Sequence, residues 1–304
     1  MISIVIPCHN EELGINHIYK ELTHLLSPMN SYEIIFVDDG SKDKTLNILM
    51  SLSINDQHVH YLSFSRNFGH QKAIKAGIDY ANGDAVITMD ADMQHPPYFI
   101  LQMIKEWEKG YDIVNAIRKE QAQPSTLKKY SSCLFYKLMN FLSDIPFSGG
   151  ADFRLYDKSV VNILKSYNEE SLFFRGYVAW IGFRQTDLYY EEQKRYAGKS
   201  NYTFRKMLNL ALEGITSFSI RPLRLSIFLG IICIFITMIY ALYVLYIYCF
   251  TNSAVPGWTS IILLVSFFGS TQLIVLGIIG EYLGKLFLET KKRPQYIVRK
   301  SDKL

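Results

Sequence analysis

Through residue 120 the chain alternates two patterns: short unbroken apolar runs, and longer segments in which apolar residues recur every three or four positions. The runs at 3–7, 32–37, 59–63, 85–89 and 112–116 are rich in Ile and Val and too short for helices, so they predict strands. The segments at 11–26, 44–52, 71–80 and 98–109 carry helical spacing. Strands that alternate with single helices build a parallel sheet, and their carboxyl ends gather along one edge. Three of these ends finish in polar clusters: Pro7-Cys-His-Asn-Glu-Glu12, Asp38-Asp-Gly-Ser41 and Asp90-Ala-Asp92. Any one of them would pass for a turn. Three on one edge describe a pocket, and a close carboxylate pair there suits a hard divalent cation bridging phosphate oxygens.

Further on the alternation stops. Residues 225–280 contain no Asp, Glu, Lys, Arg or His, and the apolar run breaks only at Thr251-Asn-Ser-Ala-Val-Pro-Gly257. Each flank exceeds the roughly 20 apolar residues that cross a bilayer, which predicts a transmembrane hairpin. Arg221 and Arg224 precede it, and Lys285, Lys291, Lys292, Arg293, Arg299 and Lys300 follow it, while the connecting loop is uncharged. Both ends are therefore expected on the cytoplasmic side. The N-terminus runs straight into Ile2-Ser-Ile-Val-Ile6 without a basic leader, so no secretory signal is expected and the globular part reads as cytoplasmic.

Two stripes suit helices lying at the membrane surface. Leu127, Tyr130, Leu134, Leu138 and Phe141 are flanked by Lys128, Lys129 and Lys137; Phe204, Met207, Leu208, Ala211, Leu212 and Ile215 lie just upstream of the hairpin. Composition adds little: 49% hydrophobic residues and a net charge of +4 fit one domain of ordinary size plus a membrane segment. Cys8, Cys133, Cys233 and Cys249 have no C-x-x-C spacing, which argues against a zinc site or a disulfide framework.

Ile6-Pro-Cys-His-Asn-Glu-Glu12, Val37-Asp-Asp-Gly-Ser41, Asp90-Ala-Asp-Met-Gln94 and Gly150-Ala-Asp-Phe-Arg154 resemble, in order, the signatures of family 2 glycosyltransferases with a GT-A fold. With Arg195-Tyr-Ala-Gly-Lys-Ser200, Gly280-Glu-Tyr-Leu-Gly284 and Arg293-Pro-Gln-Tyr296, the chain is similar to the polyprenyl-phosphate glycosyltransferases, above all those that glucosylate bactoprenol, and is related to the dolichol-phosphate mannose synthases. The resemblance implies an α/β fold: a GT-A, Rossmann-like, mostly parallel sheet, followed by interfacial amphipathic helices and a two-helix transmembrane hairpin. The expected plan is a catalytic domain over 1–200, with an interfacial helix at about 125–142, and a juxtamembrane helix over 201–222. Spans over 223–250 and 258–280 enclose an external loop at 251–257, and a basic cytoplasmic tail covers 281–304.

The roles the resemblance implies are as follows. Pro7, Asn10 and Glu11 would hold the nucleotide, and Asp38 and Asp39 would meet its base and ribose. Asp92 and Gln94 would ligate the metal, with Asp90 beside them facing the donor. Oxygen ligands favour Mg²⁺ or Mn²⁺. Arg118, with Lys128 and Ser132, would hold the acceptor phosphate, and Arg195 and Lys199 would clamp the donor phosphates. Asp152 falls on the acceptor side, where a base is open to question because a lipid phosphate is already anionic. His95, next to the acidic group, reads as a bystander.

Gln193-Lys-Arg-Tyr196 departs from the Q-x-x-R-W signature of processive synthases, which favours transfer of a single sugar; the resemblance implies that the transfer proceeds with inversion. Phe173-Phe-Arg-Gly176 and the two-span tail are nearest the glucosyl branch, hence UDP-glucose; GDP-mannose and a UDP-N-acetylhexosamine stay open. So does a non-catalytic, membrane-tethered nucleotide-binding or lipid-carrier subunit. The expected partners are the nucleotide sugar, polyprenyl phosphate and the inner (plasma) membrane, with no nucleic acid. Helix packing between protomers leaves a homo-oligomer open.

Overall fold

A computed structural model describes residues 1–29, 31–119, 152–170, 172–191, 216, 219–250 and 257–302. Lys128, Ser132, Arg195 and Lys199, both expected interfacial stripes and Cys133 lie outside the described residues. The five expected strands all form: β1 (Ile2–Cys8), β2 (Tyr32–Asp38), β3 (Val59–Phe64), β4 (Ala85–Thr88) and β5 (Ile113–Arg118). The expected helices between them are α1 (Ile15–Leu26), α2 (Thr45–Asn55), α3 (His70–Tyr80) and α4 (Phe99–Glu108). Then come β6 (Arg154–Asp157), α5 (Lys158–Ser166), α6 (Phe174–Ile181), β7 (Gln185–Tyr190), the long helices α7 (Arg221–Phe250) and α8 (Trp258–Thr290), and β8 (Val298–Ser301).

One sheet gathers all eight described strands in the order β7-β5-β6-β4-β1-β2-β3-β8. β1 lies between β2 and β4, parallel to both, and β3 runs parallel to β2. β6 enters antiparallel between β4 and β5, and β8 closes the far edge antiparallel to β3. The central strands are apolar on both faces because helices cover both. Ile4, Ile6, Ile34 and Phe36 pack with Ile15, Ile18 and Leu22 of α1 on one side; Val5, Ile35 and Val37 pack with Ile74 and Ile78 of α3 on the other. Gly77 lets α3 sit against β1, since a Cβ there would collide with Val5. That close approach sets where α3 begins, at the cavity.

The largest departure from expectation is at the C-terminus. The second span was expected to end at 280 with a basic tail beyond, but α8 continues to Thr290 and the tail returns to the sheet as β8. At 1.5 Å per residue the 33 residues of α8 reach about 50 Å, well beyond a hydrocarbon core of about 30 Å. The tail is fastened at several points. Ser65 N donates to Ile297 O at 3.0 Å, and Asp302 accepts from Tyr61 N at 2.8 Å while lying 2.7 Å from His60 Nδ1. The Tyr296 hydroxyl donates to Asp79 at 2.9 Å and its ring stacks on Phe64. Glu289 of α8 accepts from Glu170 N at 2.7 Å. Arg221–Tyr240 and Leu264–Thr290 are long and apolar enough to cross a membrane.

Candidate active site

Where the parallel strands end, a cavity of about 540 Å³ opens. Pro7, Cys8, His9 and Glu11 line it from the end of β1, Asp39 from β2, and Asp90, Ala91 and Asp92 from β4. The loops after β1 and β2 are stitched together. Asn10 N donates to Ser41 Oγ and Lys42 N donates to Asn10 Oδ1, both at 2.9 Å, and Glu11 N donates to Thr45 Oγ1 at 2.9 Å. Asn10, expected at the nucleotide, shows a loop-tying role and does not line the cavity.

The two carboxylates after β2 are likewise engaged in shaping the wall. Asp38 is buried, accepting from Ser41 N at 3.0 Å and from the Ser63 hydroxyl at 2.7 Å. Asp39 accepts from Phe68 N at 2.6 Å and Gly69 N at 3.0 Å. Burial pushes the Asp39 carboxyl up, and the two backbone donors only partly oppose this. Asp39 thereby positions the 65–69 loop, in which Gly69 takes φ 106, a region that favours glycine. The Cys8 thiol, buried and beside Glu11, is pushed well above its ordinary value, so it stays protonated.

The acidic turn after β4 is built around His95. Its Nδ1 accepts from Asp90 N at 3.0 Å, which fixes the neutral tautomer with the proton on Nε2. Its ring is 3% exposed and stacks on Phe153 at 4.8 Å. The bystander is thus the pillar under Asp90. Asp92 Oδ1 accepts from Gln94 N at 3.1 Å, and between them Met93 takes φ 63 with its side chain buried in the core. Gln94 contributes that backbone donor and does not line the cavity.

The third wall was not foreseen. Asn67, Gly69, His70 and Gln71, from the loop after β3 and the first turn of α3, face the acidic turn. His70 Nε2 lies 3.4 Å from Asp90 and 3.6 Å from Asp152. Gln71 donates to Asp152 at 2.9 Å and accepts from Phe174 N at 3.3 Å, so it ties α3 to α6 across the cavity floor. Asp152 is held again by its own carbonyl, which accepts from the Thr88 hydroxyl at 2.6 Å. Arg154 was also missed. It is 3% exposed, and its Nε and Nη1 find no hydrogen-bond partner among the described residues. The available signal was positional: β3 ends on the same edge as the other strands, so Asn67-Phe-Gly-His-Gln71 had to reach the pocket. Arg118 stands exposed at the end of β5 and is not part of the described lining.

Five carboxylates, from Glu11, Asp39, Asp90, Asp92 and Asp152, thus converge on one space, and the basic groups among its described lining residues are His9 and His70. An anionic guest needs added positive charge there. The start of α3 supplies some through its helix dipole. Among the described residues no group of three metal-ligating side chains comes together, so a hard divalent ion would have Asp90 and Asp92 as its protein ligands and would take its remaining oxygens from phosphate.

The model for glycosyl transferase family 2 matches residues 3–164. The chain is 44% identical to an uncharacterized glycosyltransferase of Bacillus subtilis (strain 168), YkcC, over 98% of this chain and 93% of that one. It is 39% identical to a prophage bactoprenol glucosyl transferase homolog of Escherichia coli (strain K12), over 99% of each chain, and 39% identical to the bactoprenol glucosyl transferase of Shigella phage SfII, over 99% of this chain and 98% of that one. Among solved structures, glucosyl-3-phosphoglycerate synthase from Mycobacterium tuberculosis, in complex with Mn²⁺, UDP-glucose and phosphoglyceric acid, superposes with a TM-score of 0.49 at 16% identity, covering 71% of this chain and 77% of that one. The chain belongs to glycosyl transferase family 2. It is a glycosyltransferase with a mostly parallel sheet and two C-terminal apolar helices.

Proposed function

We propose that the protein transfers one glucose, with inversion, from UDP-glucose to polyprenyl phosphate at the cytoplasmic face of the plasma membrane. One observation carries this reading: an acidic cavity and two apolar helices share one chain, which aligns end to end with relatives named for bactoprenol glucosylation. The positive charges on both flanks of the hairpin support cytoplasmic ends.

The nucleotide sugar lies along Pro7, Glu11 and Asp39, with its diphosphate toward Asp90, Asp92 and the start of α3. Asp92 and Asp90 would hold Mg²⁺ or Mn²⁺, which would supply positive charge to offset that of the departing diphosphate. Gln94 fixes Asp92 through its backbone. An oxygen of the lipid phosphate forms the bond to the anomeric carbon as the bond to the UDP oxygen breaks. The attacking oxygen carries no proton at neutral pH, so the step is governed by placement and electrostatics. Asp152, through Gln71, holds the floor against which the sugar rests, and His70 bridges the two acidic walls. Arg118, Lys128 and Ser132 are the proposed phosphate contacts on the acceptor side, and Arg195 and Lys199 the proposed donor-phosphate clamp.

The test is label transfer to undecaprenyl phosphate by the full chain in detergent, from a panel of UDP-glucose, GDP-mannose and UDP-N-acetylhexosamines, with and without EDTA. UDP-glucose should label the lipid, and both EDTA and Asp92→Ala should abolish labelling. Labelling from another donor alone would overturn the sugar assignment; labelling indifferent to EDTA and to Asp92→Ala would overturn the mechanism.

A further inference from the structure

α3 carries His70 and Gln71 to the catalytic cavity, yet its first turn has little of its own to hold it. The N-cap is Gly69, which has no side chain to bond the open N–H groups of that turn. Asp39 holds Phe68 N and Gly69 N from the nucleotide side. The opposing hold comes from a different face of the helix. Lys72, Lys75 and Asp79 follow one another at steps of three and four, which places them on one side of α3, and all three are engaged.

Lys72 Nζ donates to Glu170 at 2.6 Å, and Glu170 N donates in turn to Glu289, in the last turn of α8, at 2.7 Å. Gln295, in the tail just beyond, donates to Glu169 O at 2.6 Å, so this short segment is gripped from two points. The Lys72 side chain is only 19% exposed, and its pair with Glu170 is screened less than one at the surface. Further along α3, Lys75 is buried with its charge met by Asp79, which also accepts from the Tyr296 hydroxyl at 2.9 Å. A buried charge tolerates little displacement of its partner, so the tail helps keep that pair in register. Two relays thus run from the end of the second apolar helix and its tail into the helix that lines the site.

We propose that Lys72, Glu170 and Glu289 are positioning residues for sugar transfer: they tie the first turn of α3 to the end of α8 and so hold His70 and Gln71 against Asp90 and Asp152. The inference rests on the site proposed above and is indifferent to which sugar or lipid that site uses. It makes the seating of α8 a condition of full activity, although α8 gives no side chain to the described lining of that cavity.

In the full-length enzyme, Lys72→Met and Glu289→Met should each lower kcat about tenfold, since a small misplacement of an oriented group is costly. KM for the nucleotide sugar should move less than about threefold, because Pro7, Glu11 and Asp39 stay in place. Lys72→Glu combined with Glu170→Lys restores the pair with its signs exchanged and should recover most of the loss. Lys109→Met, which breaks an exposed pair with Glu106 on α4, should behave as wild type. A general loosening of the fold is told apart by a double-mutant cycle. In a His70→Ala, Gln71→Ala background, Lys72→Met should cost less than about twofold more, because the groups it positions are gone. A wild-type kcat in Lys72→Met, or a loss of full size in that background, would overturn the assignment.

Amide exchange reads the same relay without turnover. Lys72 N and Ala73 N both donate to Gly69 O at 3.1 Å, and they should exchange faster in Glu289→Met than in wild type while the amides of α4 do not change. Unchanged exchange in the first turn of α3 would sink the relay. A wild-type enzyme that labels no polyprenyl phosphate from any donor would remove the proposed reaction alone, and exchange would still decide whether α8 holds α3.

Discussion

His95 fixes the acidic turn from beneath, by a ring stacked on Phe153 and an Nδ1 that accepts a hydrogen bond from the Asp90 backbone N–H. His95→Phe keeps the stacking and strands that N–H, at a cost of about 1–3 kcal/mol. A lower melting temperature and a lower kcat are expected together, read by thermal denaturation and by donor turnover. Asp152 gives a sharper test of mechanism. A general base is worth roughly 10²–10⁴ in rate. If the lipid phosphate attacks as an anion, Asp152→Asn should lose less than about tenfold and keep the wild-type pH–rate profile; loss of the acidic limb together with a larger drop would make Asp152 the base. At this scale the sequence was half legible. Asp90, Asp92, Asp39 and Glu11 announced themselves by charge at strand ends, and all four line the cavity. His70, Gln71 and the role of His95 depend on contacts across the chain, such as Gln71 to Asp152, which no local pattern encodes.

The elements that were readable are those whose burial writes a period into the sequence. β1 and β2 are buried almost throughout and read as solid apolar runs. β6 is four residues long and β8 is Val-Arg-Lys-Ser, an edge strand with charged side chains, so neither leaves a periodic trace. β7 alternates too weakly for the same reason, with Gln185, Asp187 and Tyr189 exposed. β6 matters most for the site, because it starts two residues after Asp152, which lines the cavity, and the cap after it holds it in place. Asp157 accepts from Ser159 N at 2.8 Å at the start of α5 and from Trp107 Nε1 at 2.8 Å. Burial alone would raise its pKa, but the hydrogen bonds from Ser159 and Trp107 win and lower it. The stability it contributes is therefore full above the unfolded carboxylate value, about 3.9, and fades as pH falls through the lower folded value. Asp157→Ala should cost about 1 kcal/mol at neutral pH. Melting curves from pH 7 down to 2 should show the difference from wild type closing below about pH 4.

At the scale of the whole molecule, the hairpin was plain in the sequence from its missing charges, but its attachment to the sheet was not, since a basic tail reads as solvated. Truncation after Arg293 removes Tyr296, β8 and Asp302, and so strips the cover from the β3 edge. The expected result is a chain that still inserts but melts at lower temperature, aggregates more readily in detergent and transfers less sugar, checked by size-exclusion chromatography beside the activity assay. Tyr296→Phe, which keeps the ring on Phe64 and drops only the Asp79 bond, should lie between truncation and wild type, about 1 kcal/mol from the latter. The tail also orders events in time. β3 precedes both apolar helices in the chain and its antiparallel partner β8 follows them, so the β3 edge stays open until both helices have been made.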